Sequence, residues 1–539
     1  MNSVYERALF EIGPNGKFQR RFDIIYNLVF ASLWAMAYNN IILALVIIPH
    51  TCEIPQIDRS NNNSFWMSKF IPTTNDSSGK LVYSSCLIYT TSNNTNITKG
   101  CDEYSYNQTW YSSTVPSSNN WVCDEEIKVA SIFAYSKIGE VLGSIFFGWF
   151  GDIYGRRLTF IVSLGLLIIG RIISIVTSHS FILFIIGCVI AWFPSWSAVQ
   201  CATVISMEIS APERRSLTAT YRAIAYSTGM FIMPFLYWGL RDWKPFMIIT
   251  TVTQLPFLFY SCKIIESPRW LLNKNKKEMC VKELQKIARI NNTTLEKETE
   301  REILNSTTLN ENQVLGPLSL FSSRNLVMNT VLQLYIWFSV SLSYMVLLLS
   351  SGDKEDGNPF LEFAWQSIVE VPATFLGAWL ANHIGRRYTG AASYLLSAAI
   401  WMIIFFRELD NNGWVQNWWL GTTLIIVNRF SVTVSYYIIY LLNMELYPTS
   451  LRQSGMAIGN LFSSAACAIA PYLMYTGRRF DSRIPGMVLT ITSFFGMLAA
   501  LFLPETLNVK LPETITDVRE IGKNRNYISL KLKSLKMER

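Results

Sequence analysis

The sequence predicts an all-α, multi-pass membrane protein of twelve transmembrane helices in two six-helix repeats. Three observations lead there. Half of the 539 residues are hydrophobic and 16% are charged, with a mean hydropathy of +0.24, too little polar surface to coat soluble domains of that size. Apolar runs of roughly 20 residues, the length that crosses a hydrocarbon core about 30 Å thick, recur along the chain. The stretch "GWFGDIYGRR" at residue 148 returns without a gap as "AWLANHIGRR" at residue 378, an internal repeat.

In order, the twelve runs cover residues 24–49, 127–150, 157–178, 181–207, 216–240, 244–263, 326–350, 360–382, 387–406, 415–442, 453–475 and 484–503. The fourth and fifth, which carry Pro194, Gln200 and Arg222, are the least uniformly apolar. Ahead of the first, "MNSVYERALFEIGPNGKFQRRF" is charged and lacks an apolar core. No cleavable signal peptide is expected there, and residues 1–23 read as a cytoplasmic amino terminus.

Basic residues sit at alternate ends of the spans. Lys17, Arg20 and Arg21 precede the first, Arg156 and Arg157 follow the second, Arg214 and Arg215 follow the fourth, and Arg386 and Arg387 follow the eighth. The positive-inside rule makes those ends cytoplasmic. The linker 263–325, with 11 Lys or Arg against 8 Asp or Glu, and the basic tail 504–539 fall on the same side. The six-span halves are then 24–262 and 326–503, both termini lie inside, and the plasma membrane is the expected location. Topology accounts for the net charge of +8, so no nucleic-acid partner is expected.

Loop 51–126 has the opposite character, with 4 Lys or Arg and 8 Asp or Glu. It holds Cys52, Cys86, Cys101 and Cys123, which in an oxidising compartment form two disulfides in one of three pairings. Asn62, Asn75, Asn93, Asn96 and Asn107 each begin a glycosylation sequon, so the loop reads as a glycosylated extracellular cap. Asn291, Asn292 and Asn305 also begin sequons, on the side read as cytoplasmic.

The repeat extends beyond its first motif. "MEISAPERR" at 207 aligns with "MELYPTSLR" at 444, setting Glu208 against Glu445 and Arg215 against Arg452, and "ESPRWLL" is echoed loosely by "LPETL". Halves of six spans joined by a charged linker are the plan of repeat-built transporters, which bind near the midplane between the halves. With the Cys-rich loop ending "WVCD", "GDIYGRR", "ESPRWLL", "SIVEVP" at 367, "ELYPTSLR" at 445 and "LPETLNVKLPETI" at 503, the chain resembles the major facilitator superfamily. Within it, the chain is similar to the organic ion transporter family of organic cation, carnitine and organic anion carriers. The resemblance spans nearly the whole chain and implies the major facilitator fold.

It also implies a conformational latch at the cytoplasmic ends. Asp152 is expected to pair with Arg156 or Arg157, Glu208 with Arg214 or Arg215, Glu266 with Arg269, and Glu445 with Arg452, while Arg386 and Arg387 repeat the first motif. Because Asn382 stands where the first copy has Asp152, the stronger latch is expected in the first half. Gly148 and Gly151 share a helical face and are expected to admit a close neighbour.

Charges within spans are costly and mark candidate substrate contacts. Lys137 and Glu140 lie three apart in the second span and can neutralise each other; Arg171 lies in the third and Arg222 in the fifth. Glu370 and Arg429 match positions the family uses in its central cavity, and Tyr344, Trp337 and Tyr221 match aromatic cavity positions. Aromatic faces hold organic cations by cation-π attraction. The chain departs from the family at Ser464, where other members carry aspartate or arginine, and at Trp196, where some carry lysine.

The expected function is therefore transport of a small organic cation or carnitine-like zwitterion by alternating access, with the lipid bilayer and a coupling ion as further partners. Organic anion carriage on the same fold is the second reading, and a transport-inactive sensor the alternative from another class. No nucleotide-binding G-x-x-x-x-G-K-[ST] motif occurs, and His50, His179 and His383 are scattered without metal or catalytic spacing. Neither enzyme chemistry, nor a cofactor, nor a metal is expected.

Overall fold

The structure, a computed structural model, describes residues 4–13, 15–53, 70–75, 81–90, 97–210, 212–261, 264–305, 320–322, 324–351, 357–407, 418–447 and 451–507. Helices occupy all twelve expected spans. Among the described residues, ten helical stretches are long and apolar enough to cross a membrane. The sixth and eighth spans are not among them; each is in two pieces, Trp243–Val252 with Leu255–Tyr260 and Pro359–Ile368 with Glu370–His383.

Proline explains the breaks. Pro256 opens the second piece of the sixth span. Pro372 has no amide to offer the carbonyl of Ile368, and its ring crowds that carbonyl, so the eighth span opens at Val369 and Glu370. The fourth span divides into Phe181–Trp192 and Ser197–Glu208 across Pro194, where Ser195 takes a left-handed φ of 51°. A non-glycine residue held there is strained, and such strain gathers at functional sites.

The spans form two bundles. In the first, the third span (Arg156–Val176) packs on the fourth and the fifth (Pro212–Leu240) on the first; in the second, the ninth (Arg386–Arg407) packs on the tenth (Trp418–Leu446) and twelfth (Arg483–Phe502). The third and fourth spans come close through Gly170 and Gly187: a Cβ on Gly170 would stand 2.3 Å from the Ala191 amide nitrogen. Gly148 does not serve that purpose, since nothing lies within 4 Å of its Cβ position, whereas a Cβ on Gly143 would strike the Phe193 carbonyl.

Contacts between the halves run from the second span (Ile127–Tyr154) to the eleventh (Arg452–Arg479) and from the fifth to the eighth. At the end that carries loop 51–126, Glu126 pairs with Arg478 at 2.7 Å, Asp124 with Arg479 at 2.8 Å, and Tyr472 reaches Ser131 at 3.3 Å. Phe360 packs there against Tyr111 and Tyr237.

That loop is a cap of three two-stranded antiparallel ribbons, Cys52 bonded to Cys101 and Cys86 to Cys123, which selects one of the three pairings. The cap is tied to the fifth and sixth spans by Tyr237 donating to the Ser113 carbonyl and by Ser113 donating to Asp242. Asn107 is exposed, as a glycan acceptor must be; Asn62, Asn93 and Asn96 and the side chain of Asn75 lie outside the described residues.

At the opposite end the linker forms helices Pro268–Asn273, Lys277–Asn291 and Lys297–Asn305. An amino-terminal helix, Val4–Glu11, docks on them: Arg7 pairs with Glu302 at 3.0 Å, and Glu11 accepts from the Glu296 amide at the start of the third linker helix. Asn291 donates to the carbonyls of Ile12 and Gly13 and to the Gln19 side chain, so its sequon is spent on structure.

Candidate functional site between the halves

Glu370 is presented by the opened turn that Pro372 creates. Its Oε1 accepts from Arg429 Nη2 at 2.5 Å and Nε at 3.0 Å and from the Tyr344 hydroxyl at 3.0 Å, and its Oε2 accepts from Ser227 of the opposite half at 3.3 Å. Arg429 also donates to the Tyr344 carbonyl at 3.1 Å, and its guanidinium stands 3.6 Å from the centroid of the Tyr344 ring. With side-chain exposures of 1% and 8%, the pair survives burial because almost every charged atom has a partner. Gln366, one turn toward the cap on the same helix, is buried with neither amide atom hydrogen-bonded among the described residues, so polar capacity is left for a ligand.

Aromatic rings lead away from this pair into the first half. The hydroxyls of Tyr344 and Tyr226 meet at 3.1 Å; Tyr226 packs edge-on against Trp196 at 5.4 Å, Trp196 against Tyr38 at 5.1 Å, and Tyr38 stacks on Trp192 at 5.4 Å. On the other side Tyr344 meets Tyr436 at 5.2 Å. The structure thus joins the expected Glu370, Arg429 and Tyr344 in one cluster and adds Ser227, Tyr226 and Tyr436. Tyr436 had a signal: it lies seven residues after Arg429, two turns along the same face. Tyr226 is the aromatic of the fifth span that reaches Tyr344, five residues beyond the expected Tyr221.

Other expectations change. Trp337 is buried, 6.2 Å from Tyr436 of this cluster and 4.8 Å from Tyr440, and so close to Gly459 that a Cβ there would stand 2.7 Å from its indole nitrogen. Tyr221 is half-buried and Arg222 exposed, and neither is brought to the Glu370–Arg429 pair; Arg222 instead lies within electrostatic range of Tyr440. Arg171 braces the first span by donating to the carbonyls of Ala37 and Tyr38.

The end with the linker repeats one construction in both halves. Gly155 and Gly385 take φ of 100° and 108°, and each is overlain by a carboxylate, Glu266 and Glu505, whose oxygens would lie 2.4 and 2.5 Å from an added Cβ. Glu266 accepts from the amides of Arg156 and Arg157, and Glu505 from those of Arg386 and Arg387, each capping the positive end of the helix that follows. Ser267 then donates to Glu208, and Thr506 to Glu445. Burial lifts the Glu266 carboxyl above its ordinary range, against the pull of the three amides it accepts.

This arrangement corrects the expected pairings. Glu266 is engaged by backbone amides and not by Arg269, which is exposed. Glu445 pairs bidentately with Arg386 at 3.1 Å. The side chains of Arg214, Arg215 and Arg452 lie outside the described residues. Asp152 does meet Arg156, at 3.1 Å, but is 75% exposed, whereas Arg386 and Glu445 are 11% and 15% exposed. The more buried ion pair is therefore in the second half, where Glu445 supplies the carboxylate that Asn382 lacks. All these contacts hold each half to itself and to the chain that follows its last span.

Among the described residues one cluster has metal-ligand character, His50 with Cys86 and Cys123, whose donor atoms lie within 4.8 Å, and its two sulfurs are bonded to each other.

The profile of the family described as Sugar (and other) transporter matches residues 89–517. The chain is 25% identical to Organic cation/carnitine transporter 2 of Homo sapiens over 96% of this chain and 94% of that one. It is 26% identical to Solute carrier family 22 member 21 of Mus musculus over 98% and 96%, and 27% identical to Organic cation transporter protein of Drosophila melanogaster over 79% and 78%. Among solved structures, the inward open conformation of the xylose transporter XylE from E. coli superposes with a TM-score of 0.55 at 14% identity, covering 89% of this chain and 96% of that one. That likeness gives the major facilitator fold.

Proposed function

The chain belongs to the family of sugar and other transporters within the major facilitator superfamily, and on that premise we propose that it carries a small organic cation or zwitterion across the plasma membrane by alternating access. The observation that carries the reading is the buried Glu370–Arg429 pair set among Tyr344, Tyr226 and Tyr436. A site whose fixed charges cancel has no net pull on a simple anion and holds a simple cation through its aromatic faces alone. A zwitterion exchanges partners with it evenly, its cationic group taking Glu370 and the aromatic faces and its carboxylate taking Arg429. The relatives named as organic cation and carnitine transporters agree with that chemistry.

The contacts that join the halves at the cap end fit a carrier closed on that side, which the rocking of one bundle against the other would open. The cap is then extracellular and both termini cytoplasmic.

The test is uptake of labelled carnitine and tetraethylammonium by cells expressing wild type or Glu370→Gln, with surface protein measured in parallel. Glu370→Gln is expected to abolish both without lowering surface expression. Unchanged uptake of a substrate that the wild type accumulates contradicts the assignment.

A further inference from the structure

The repeat alignment relates a second carboxylate to Glu370. The 230-residue offset that superimposes "GWFGDIYGRR" on "AWLANHIGRR" also carries Ile138 onto Ile368, Glu140 onto Glu370 and Val141 onto Val371. The 237-residue offset of the fourth and tenth spans carries Trp192 onto Arg429. So the first half has the carboxylate of the pair but an indole where the second half has the guanidinium.

Lys137 supplies the missing charge from the second span itself. Its ammonium lies 2.7 Å from Glu140 Oε2 and 4.6 Å from the centroid of Trp192. Each half thus holds the same constellation, a cation of the protein's own resting on an aromatic face and bound to a buried carboxylate. The two differ in how firmly the cation is held. Arg429 is fixed by three donated hydrogen bonds and is 1% exposed. Lys137 makes one described hydrogen bond, on a flexible four-carbon stem, and the pair is 13% and 11% exposed.

The pair lies on the second span, which packs on the eleventh span of the other half. Cys467 of the eleventh span, half-buried, lies within electrostatic range of both Lys137 and Glu140, and Trp192 continues through Tyr38, Trp196 and Tyr226 to Tyr344 beside Glu370. An ammonium seated on an indole with a carboxylate as counter-ion is what an organic cation needs from a protein.

We propose that Glu140 and Trp192 form a second cation subsite of the transport path, with the Lys137 ammonium as a tethered occupant that the substrate's cationic group displaces. The inference rests on the reading of the chain as an organic cation or zwitterion carrier and adds to it a residue that sets specificity. Lys137 opposes a substrate that brings only positive charge, since one cation must leave as another enters. A zwitterion repays the displacement by offering Lys137 its carboxylate.

The experiment compares the KM of tetraethylammonium, which has no carboxylate, with that of carnitine in wild type, Lys137→Gln and Glu140→Gln, each corrected for surface protein, with uptake by Glu370→Gln measured alongside. Lys137→Gln is expected to lower the tetraethylammonium KM by roughly three- to tenfold, the range of a cation-π contact, and to raise that of carnitine. Glu140→Gln is expected to raise the tetraethylammonium KM by about tenfold. If Lys137→Gln fails to reach the surface, Lys137→Gln with Glu140→Gln leaves no unpaired buried charge and is expected to raise the KM of both substrates. An unchanged tetraethylammonium KM in the variants that reach the surface overturns the inference. Loss of uptake in Glu370→Gln alongside unaltered KM in the Lys137 and Glu140 variants removes this subsite and leaves the parent reading standing. Uptake of organic anions alone, by wild type and variants alike, removes both.

Discussion

Glu370 accepts hydrogen bonds from Arg429, Tyr344 and Ser227, so its charge is already committed before any substrate arrives. A ligand has to trade with those donors, which favours chemistry that returns what it takes. The same logic separates the two ion pairs at the linker end. Asp152, largely in solvent, gains little from Arg156, because exposed pairs are worth up to about 1 kcal/mol. Glu445 is mostly shielded, holds Arg386 through two hydrogen bonds and accepts from Thr506, and removing its charge strands a buried guanidinium. Glu445→Gln should therefore cost about 2 kcal/mol and Asp152→Asn under about 1 kcal/mol, read from thermal unfolding of the purified protein. The reverse ranking, which Asn382 alone would lead one to expect, would show that the second-half pair is not the stronger.

At the scale of elements, prolines decide where function sits. Hydropathy locates all twelve spans, but it averages over the breaks at Pro194, Pro256 and Pro372, each of which a reading by windows of about 20 residues joins into one helix. Pro372 matters most, because the opened turn presents Glu370. Mid-span charge picks out Glu370 and Arg429 separately, yet nothing along the chain pairs residues 59 apart. The partner aromatics are harder still: 14% of the chain is aromatic, so Tyr226 and Tyr436 do not stand out until their faces are known. Glu505 was within reach, since "LPETL" echoes "ESPRWLL", but its role as a helix cap depends on the turns at Gly155 and Gly385. The cap carries its own prediction. Burial pushes the His50 imidazole below its ordinary value of 6.5, so the folded cap favours the neutral ring. Its stability is complete above that value and falls as pH drops below it. The melting temperature of wild type should decline between pH 7 and pH 5 more than that of His50→Gln; parallel declines would remove the histidine from the cause.

For the whole molecule, two bundles meet at the cap end through Glu126–Arg478, Asp124–Arg479 and Ser131–Tyr472, and around the buried ion pair through Tyr226–Tyr344 and Ser227–Glu370. If transport requires the cap end to open, Ser131→Cys with Tyr472→Cys should lose uptake when joined by a short bifunctional methanethiosulfonate reagent and regain it on mild reduction, while each single variant is unaffected. Uptake that persists through a complete cross-link would mean the halves need not part there. On the proposed reading, a charge-balanced site between these halves selects an organic cation or zwitterion for transport. This selection is tested most directly by an uptake panel in sealed vesicles holding the wild-type protein, offering carnitine, tetraethylammonium and a small aromatic anion with and without sodium. The expected result is accumulation of carnitine above the stoichiometry of the protein, weaker accumulation of tetraethylammonium and none of the anion. Accumulation of the anion alone, or binding of carnitine that never exceeds one per protein, would contradict it.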